Sequence, residues 1–258
     1  MEFSLTEEQV MLQDSVRKLM SRVATPEYCR ETIKAKAFPH KLYDAFIEAG
    51  LMALPFPEEY GGMGGSLVDT ALVQKEINKT SADLAMSFGG ATFCGLNILR
   101  MGTEAQKQKW LPPLISGEIK LSIGLSEPDA GSDLTAIRTS AVRDGDHWVI
   151  NGLKTWQTMA GVKDNVICLY VKTDPAAHYR NGMSLILVPN TTPGVTCRKL
   201  DLLGCYCTGT YEVTFDNVRV PVENIIGEVN KGWDCLLSGV TEERAVVAAC
   251  DVGAALGV

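Results

Sequence analysis

The spacing of apolar residues changes from a helical to an extended pattern near residue 121, and this change restricts the fold more than any other feature. Up to about residue 120, apolar residues recur at helical intervals, and the first such segment follows Ser4 or Thr6, either of which is a suitable N-cap. From about residue 121 to 228, short segments rich in β-branched residues alternate with Gly, Pro, Asn and Asp. The helical pattern returns at Gly232. This order predicts an α+β protein.

The three segments predict three structural parts. Residues 1–120 are expected to form an N-terminal all-α domain, and residues 121–228 a middle β domain, either a barrel or a sandwich. Residues 229–258 are expected to form the first helix of a C-terminal helical bundle. This last segment ends on the letters GAALGV, with no stop signal and no other segment predicted to cover it. The sequence therefore predicts a bundle that is truncated early.

Two local signals give more detailed expectations. The dipeptide Asn151-Gly152, inside HWVINGLKTW, predicts the turn of a β-hairpin. Pro112 and Pro113 follow a short helical segment that starts near residue 103. Because proline interrupts the hydrogen bonding of a helix, these two residues predict its end.

Charge and cysteine spacing argue against several kinds of function. The chain carries a formal net charge of -7 and has no basic run, which argues against nucleic-acid binding. No apolar run is long enough to span a membrane. The eight cysteines contain no CxxC pair, and Cys205 and Cys207 have no histidine nearby. We therefore expect no metal site, and reduced thiols as in a cytoplasmic protein.

An irregular polar stretch, LSEPDAGSDL at residues 125–134, separates the helical and extended regions. Pro128 and Gly131 prevent a regular helix there. One interpretation is a tight surface turn. The other is a cradle in which small residues let backbone N–H groups approach an oxygen-rich ligand. The residues alone leave both interpretations open.

Seven stretches in order carry a family resemblance that covers essentially the whole chain: LTEEQ, PEEYGG, GTEAQKQKWLP, SEPDAGSD, NGLKTWQT, FDNVRVP and ERAVVAA. The pair SEPDAGSD and NGLKTWQT is the most specific. By these motifs the chain resembles the acyl-CoA dehydrogenases, a family of FAD-dependent flavoproteins. The resemblance implies an N-terminal helical domain, a middle β domain and a C-terminal four-helix bundle, of which this chain holds only the opening helix.

The resemblance implies that the polar stretch binds FAD. Leu125 and Ser126 are expected against the pyrimidine side of the flavin. Gly131 and Ser132 are expected near the pyrophosphate, and Ser132 also along the CoA arm of the substrate. Asp129 stands where family members more often have glycine, and we expect it to point to solvent.

The motif NGLKTWQT is expected to form the second wall of the flavin site. A lone tryptophan in a strand is usually part of the core. The resemblance instead makes Trp156 a ring that stacks on the flavin, and Thr158 a hydrogen-bond donor near flavin N5 and O4. Family members usually continue with Asn-Gly, whereas this chain has Met159-Ala160, so we expect a different turn there.

The stretch VTEERAV supplies the candidate catalytic base. The resemblance to isovaleryl- and long-chain-type enzymes, and to crotonobetainyl-CoA reductase, assigns the base to Glu243, before Arg244. Arg244 is then expected on the CoA side, with Thr241 where the family often has an Asp that contacts CoA. Glu242 is expected to be solvated or to complement the helix dipole.

The resemblance thus implies a dehydrogenase that removes an α-proton and a β-hydride from an acyl-CoA, or a reductase that runs the reverse reaction. An acyl-CoA oxidase would share the flavin site and pass electrons to oxygen. A non-catalytic acyl-CoA-binding fragment or assembly subunit is a third interpretation. The implied partners are an electron-transfer flavoprotein and further copies of the complete chain, in a tetramer or dimer.

Overall fold

The fold, given by a computed structural model that describes residues 4–257, has seven α-helices and eight strands in that part of the chain. The helices are α1 Glu7–Val23, α2 Pro26–Ala35, α3 His40–Glu48, α4 Leu67–Asn78, α5 Ala82–Met101, α6 Glu104–Ile115 and α7 Gly232–Leu256. The strands are β1 Lys120–Gly124, β2 Ser140–Asp144, β3 His147–Thr158, β4 Asn165–Lys172, β5 Met183–Pro189, β6 Val195–Lys199, β7 Thr210–Pro221 and β8 Ile225–Ile226. The predicted α+β order is confirmed.

Hydroxyl residues cap most of the N-terminal helices. Thr6, and not Ser4, caps α1, and Ser66 and Thr103 cap α4 and α6 with the same reciprocal capping box. The prediction that Pro112 and Pro113 end α6 was wrong, because both lie inside its last turn. A proline there loses only its own N–H bond, and the carbonyls of both prolines still accept hydrogen bonds from residues that follow.

The strands form one mixed eight-stranded sheet in the order β6-β7-β3-β2-β4-β5-β8, with β1 parallel to β4. The predicted hairpin turn at Asn151-Gly152 was wrong. The chain turns earlier, between Asp144 and His147, and Gly152 lies inside β3 at a bulge against β7. A Cβ on Gly152 would lie 2.5 Å from Thr139 Oγ1, so close packing, and not a turn, requires glycine there.

The sheet separates two hydrophobic cores. Strand β4 is buried on both faces, and its side chains alternate between the two cores. The helical domain packs on one face, where it contacts Val166, Cys168 and Tyr170. The opposite face holds Ile167, Leu169 and Val171 in a core made by the sheet itself. The junction between helices and sheet therefore lies along β1 and β4.

Helix α7 packs against the helical domain, so the expectation that nothing in the chain covers it was wrong. Its small residues allow α4 to approach closely. A Cβ on Gly253 would lie 2.3 Å from the Lys75 carbonyl oxygen, and one on Gly257 would lie 2.0 Å from that of Lys79. Helix α7 also exposes large apolar side chains, namely Leu237, Val247, Val252 and Leu256.

Helix α5 is long and apolar enough to cross a membrane by length and composition alone, but 62% of that segment is buried inside the protein, as in a core helix. The eight cysteines are free thiols. Within residues 4–257, no group of three or more His, Cys, Asp or Glu side chains has the geometry to hold a metal ion.

Candidate active site

The two most specific motifs lie side by side at the start of the sheet. The backbone N–H of Thr155 in β3 donates to the Ser126 carbonyl at 2.9 Å. The Lys154 ammonium donates to the Leu125 carbonyl, also at 2.9 Å. Leu125 and Ser126, both half-buried, are therefore held directly beside the part of β3 that carries Trp156.

A buried ion pair joins these motifs. Glu127 and Lys154 are 7% and 0% exposed, and the Lys154 Nζ atom lies 2.9 Å from Glu127 Oε1. Glu127 also accepts hydrogen bonds from the backbone N–H groups of Arg138 and Thr139, at 2.6 and 2.9 Å. One carboxylate thus joins the polar loop to β3 and to the segment that follows the loop at Arg138 and Thr139.

The pKa values of the pair reflect competition between burial and attraction. Burial lowers the pKa of Lys154 to about 8, although Glu127 partly opposes this change. Burial alone would raise the pKa of Glu127, but the Lys154 charge and the hydrogen bonds it accepts outweigh burial and hold it below its ordinary value. The attraction between the two groups thus opposes the effect of burial on both pKa values.

The outer part of the loop is open. Asp129 is exposed, as expected, and lies 3.6 Å from the exposed guanidinium of Arg138. Gly131 and Ser132 are also exposed, and a Cβ on Gly131 would meet no atom within 4 Å. The protein's own packing therefore does not require glycine at 131, and open space remains beside the backbone.

Trp156 is turned outward by an unusual backbone conformation. Its φ of 63° lies in the left-handed region, which costs an L-residue about 1–2 kcal/mol. It stands where the register of β3 against β7 shifts between Lys154 and Gln157, and its side chain is 60% exposed. A strained residue that exposes a large flat ring is more typical of a ligand site than of a core.

Thr158 and Glu243 line one cavity of about 350 Å³ between α4, α5, α7 and the sheet. Thr158 ends β3, and Met159 follows it in the left-handed region with φ 65°. The backbone at Met159 thus adopts a conformation that Asn or Gly takes at lower cost. The remaining lining is mostly apolar and comes from the three helices and β1.

The carboxyl group of Glu243 is half-buried at this cavity. Burial raises the pKa of Glu243 above its ordinary value of 4.5, and the neighbouring Arg244 guanidinium opposes part of the rise. The Glu243 charge contributes to the raised pKa of Tyr170, for which burial is the main cause. Asn97 lines the same cavity, and its Oδ1 atom is buried with no hydrogen-bond partner in the described part of the chain.

Comparisons with known proteins agree with this arrangement. Residues 6–118 match the model of the acyl-CoA dehydrogenase N-terminal domain, and residues 122–218 match that of the middle domain. The chain belongs to the acyl-CoA dehydrogenase family. Membership of this family implies a flavin cofactor.

Two relatives and one solved structure are similar to this family member over nearly its whole length. The Bacillus subtilis (strain 168) protein "Probable acyl-CoA dehydrogenase YngJ" is 37% identical over 99% of this chain and 67% of the relative. The mitochondrial isovaleryl-CoA dehydrogenase of Pongo abelii is 35% identical over 96% of this chain and 60% of the relative. A solved glutaryl-coenzyme A dehydrogenase, in complex with glutaryl-CoA, has a TM-score of 0.93 and 34% identity over 98% of this chain and 65% of that chain. The chain spans 60% to 67% of the length of these relatives.

The acidic neighbour of Glu243 has a different role from the one expected. Glu242 lies more than two turns into α7, which begins at Gly232, and so does not complement the dipole at the helix N-terminus. It forms an ion pair with Arg100 of α5 and is half-buried. Glu242 therefore contributes to the packing of α7 on α5.

Thr241 and Arg244, which were predicted to contact CoA together with Ser132, are both exposed. Arg244 and Glu243 line a surface depression of about 370 Å³ on the outer side of α7. Thr241 is exposed and lines neither this depression nor the cavity. The structure thus brings Arg244 beside Glu243 and leaves Thr241 apart from them.

The ion pair between Glu127 and Lys154 was not predicted from the sequence, although Glu127 lies in SEPDAGSD and Lys154 in NGLKTWQT. Alternation along β3 was an available signal, because Lys154 lies on the same inward face as Trp148 and Ile150. An inward lysine needs a partner of opposite charge. The contribution of α4 and Asn97 to the cavity was also missed, and no local motif indicated it.

Proposed function

We propose that this chain is the catalytic part of an FAD-dependent acyl-CoA dehydrogenase that converts an acyl-CoA thioester to its α,β-unsaturated form. The observation that carries the proposal is the cavity that Glu243 lines together with Thr158 at the end of β3. A carboxylate with a raised pKa on one wall, and the Thr158 hydroxyl on another, are the groups this reaction uses.

The residues present fit FAD. The exposed Trp156 indole offers a flat surface for the isoalloxazine ring, and Ser126 and Thr158 offer half-buried hydroxyl groups at its edge. The open backbone at Gly131 and Ser132 leaves room for a pyrophosphate. When bound, FAD supplies the acceptor for the hydride that leaves the β-carbon.

Glu243 acts as the base that takes the α-proton. Its raised pKa brings its proton affinity closer to that of the acidified α-carbon, and most of the cavity lining around it is apolar. Arg244, the next residue on the helix, is exposed and offers a guanidinium that can bind a CoA phosphate. We keep Thr241 and Ser132 as proposed contacts of the CoA arm.

The Glu243-Arg244 pair supports a relationship to the isovaleryl- and long-chain-type enzymes, or to a reductase that uses the same base in reverse. We further propose an electron-transfer flavoprotein as electron acceptor, a homo-oligomer as the complete assembly and the cytoplasm as its location. These proposals rest on the family resemblance, and the location also on the scattered spacing of the cysteines, which form no CxxC pair.

Anaerobic titration tests the proposed function. The purified protein with FAD is expected to be yellow, and isovaleryl-CoA is expected to bleach its visible absorption as the flavin is reduced. Bound FAD that no acyl-CoA reduces would instead support a non-catalytic binding protein. Rapid oxygen consumption by the reduced protein would identify an oxidase.

Replacing Trp156 by Ala is expected to weaken FAD binding about tenfold, because the stacking surface is lost. The folded structure should persist, since the ring is 60% exposed. Trp156→Phe keeps an aromatic face and is the matched control, with an expected change of less than about threefold. Fluorescence titration of apoprotein with FAD measures both. Equal affinity in Trp156→Ala and the wild type would show that the ring does not contact the flavin.

A further inference from the structure

A buried amide with a free hydrogen-bond acceptor lies where α5 packs against α7. Asn97 of α5 is 6% exposed, and among residues 4–257 its Oδ1 atom has no hydrogen-bond partner. Asn97 and Glu243 together line the cavity described above, and together they also line a narrow cleft between α4, α5 and α7. A buried acceptor without a donor is uncommon in folded proteins, so its position beside the proposed base requires an explanation.

Gly239 allows the amide to approach α7 closely. A Cβ on Gly239 would lie 2.5 Å from Asn97 Oδ1, so a larger residue at this position would displace the amide. Glu243 follows four positions later, on the same face of α7. Because side chains of a helix lean toward its N-terminus, the Glu243 side chain is directed over the turn that contains Gly239. The geometry of α7 therefore directs the Glu243 carboxyl group toward the Asn97 amide.

The two cations near Glu243 do not take the place of this amide. Arg100 lies one turn after Asn97 on α5, and its guanidinium pairs with Glu242. Arg244 opposes part of the rise in the pKa of Glu243. It lines the surface depression on α7 and neither of the two spaces that Asn97 lines. The Asn97 acceptor thus faces Glu243 without a cation between them in either lining.

The other ionisable groups around Glu243 are neutral near pH 7 or exposed to solvent. On α5, a hydrogen bond with Cys168 and burial raise the pKa of the Cys94 thiol well above its ordinary value. On β4, burial is the main cause of the raised pKa of Tyr170. Asp251 shares the cavity but is exposed, about two turns further along α7. Helix α4 contributes only apolar, hydroxyl and amide side chains to both spaces.

We propose that Asn97 is a positioning residue that accepts a hydrogen bond from Glu243 once this base has taken the α-proton. The proposal rests on the function proposed above. A carboxylate has no proton to donate, whereas a carboxylic acid has one O–H donor, so Asn97 Oδ1 gains a partner only after the transfer. The proton moves from the α-carbon to a Glu243 oxygen, and the electron pair of the broken C–H bond stays on the acyl group as its double bond forms. The contact stabilises the protonated base and thereby raises the pKa of Glu243 further than burial alone.

Asn97→Leu keeps the approximate size of the side chain and removes the acceptor. In the full-length protein with FAD, the pH midpoint of flavin reduction by isovaleryl-CoA is expected to fall by about half a unit to one unit, because the protonated base loses its partner. Infrared difference spectra recorded across pH measure the pKa of Glu243 without any substrate, from the carboxyl band that Glu243→Gln lacks. This pKa should fall by a similar amount.

Gly239→Ala tests the same contact while Asn97 is retained. The added Cβ displaces the amide, and alanine favours the helix, so the variant should fold and shift both measurements downward. Asn224→Leu is the matched control. Asn224 is 4% exposed and its Oδ1 atom also has no partner, but it lies just before β8 and lines neither space. This control loses a hydrogen bond to the Leu187 carbonyl and should be less stable in urea, with an unchanged pH midpoint.

A midpoint that stays constant or rises in Asn97→Leu and Gly239→Ala would overturn the proposal. An equal downward shift in Asn224→Leu would overturn it too, because the effect would then follow from destabilisation alone. Failure of every acyl-CoA to reduce the flavin would overturn the proposed function, and the infrared pKa would still decide whether Asn97 contacts Glu243.

Discussion

Replacing Glu243 by Gln is expected to lower the rate of flavin reduction by an acyl-CoA by about 10²–10⁴-fold, while FAD remains bound. The amide is close in size to the carboxyl group but accepts no proton from the α-carbon. Since none of the proposed FAD contacts involves Glu243, the protein should stay yellow. Anaerobic stopped-flow absorption at the flavin band measures the rate, and the spectrum before mixing reports the bound cofactor.

The neighbouring residue provides the matched control. Glu242→Gln makes the same chemical change one position away, and removes an ion pair to Arg100 that is only partly buried. We expect it to retain at least about a third of the wild-type rate, because partly exposed pairs contribute little. Rapid bleaching in Glu243→Gln, or loss of bleaching in Glu242→Gln alone, would contradict the assignment of the base.

The pH dependence of the flavin reduction rate is a second test of Glu243 as the base. Below its pKa, Glu243 is protonated and cannot accept the α-proton, so the reduction rate should rise as pH increases through that pKa. Because burial raises the pKa, the midpoint should lie above the ordinary value of 4.5. Glu243→Gln should lose this limb of the profile.

Strand β3 shows how far the sequence could predict the site. Alternation from Trp148 and Ile150 places Lys154 on the inward face correctly, and the same alternation would bury Trp156. The left-handed residue at 156 reverses that outcome and exposes the ring. No glycine or asparagine marks this bulge, so the residues alone predict a core tryptophan, and only the family resemblance predicted a ring that stacks on a ligand.

Long-range packing accounts for what the sequence could not predict. The order of helices and strands followed from local periodicity and caps, and this order is confirmed. The position of α7 depends on contacts between residues far apart in the chain, such as Gly253 against the Lys75 carbonyl. That contact brings Glu243 to a cavity lined by α4, and no local pattern in either helix encodes the pairing.

The buried pair that joins the two motifs leads to a prediction about stability. Lys154→Met is expected to lower the free energy of unfolding by about 3–5 kcal/mol, because it leaves the buried Glu127 carboxylate without its cation. FAD affinity should fall as well, since the Lys154 ammonium also holds the Leu125 carbonyl of the flavin loop. Urea denaturation at a fixed FAD concentration measures the first effect, and titration of apoprotein measures the second.

The double variant Lys154→Met/Glu127→Gln distinguishes a buried charge from a lost contact. Removing both charges eliminates the unpaired carboxylate, and the Gln oxygen can still accept a hydrogen bond from the Arg138 or Thr139 backbone. The double variant should therefore recover at least about half of the lost stability. Lys163→Met, the same substitution at an exposed lysine, should leave stability essentially unchanged. If the double variant is less stable than Lys154→Met, the pair stabilises the loop through its shape and contacts, and not through neutralisation of a buried charge.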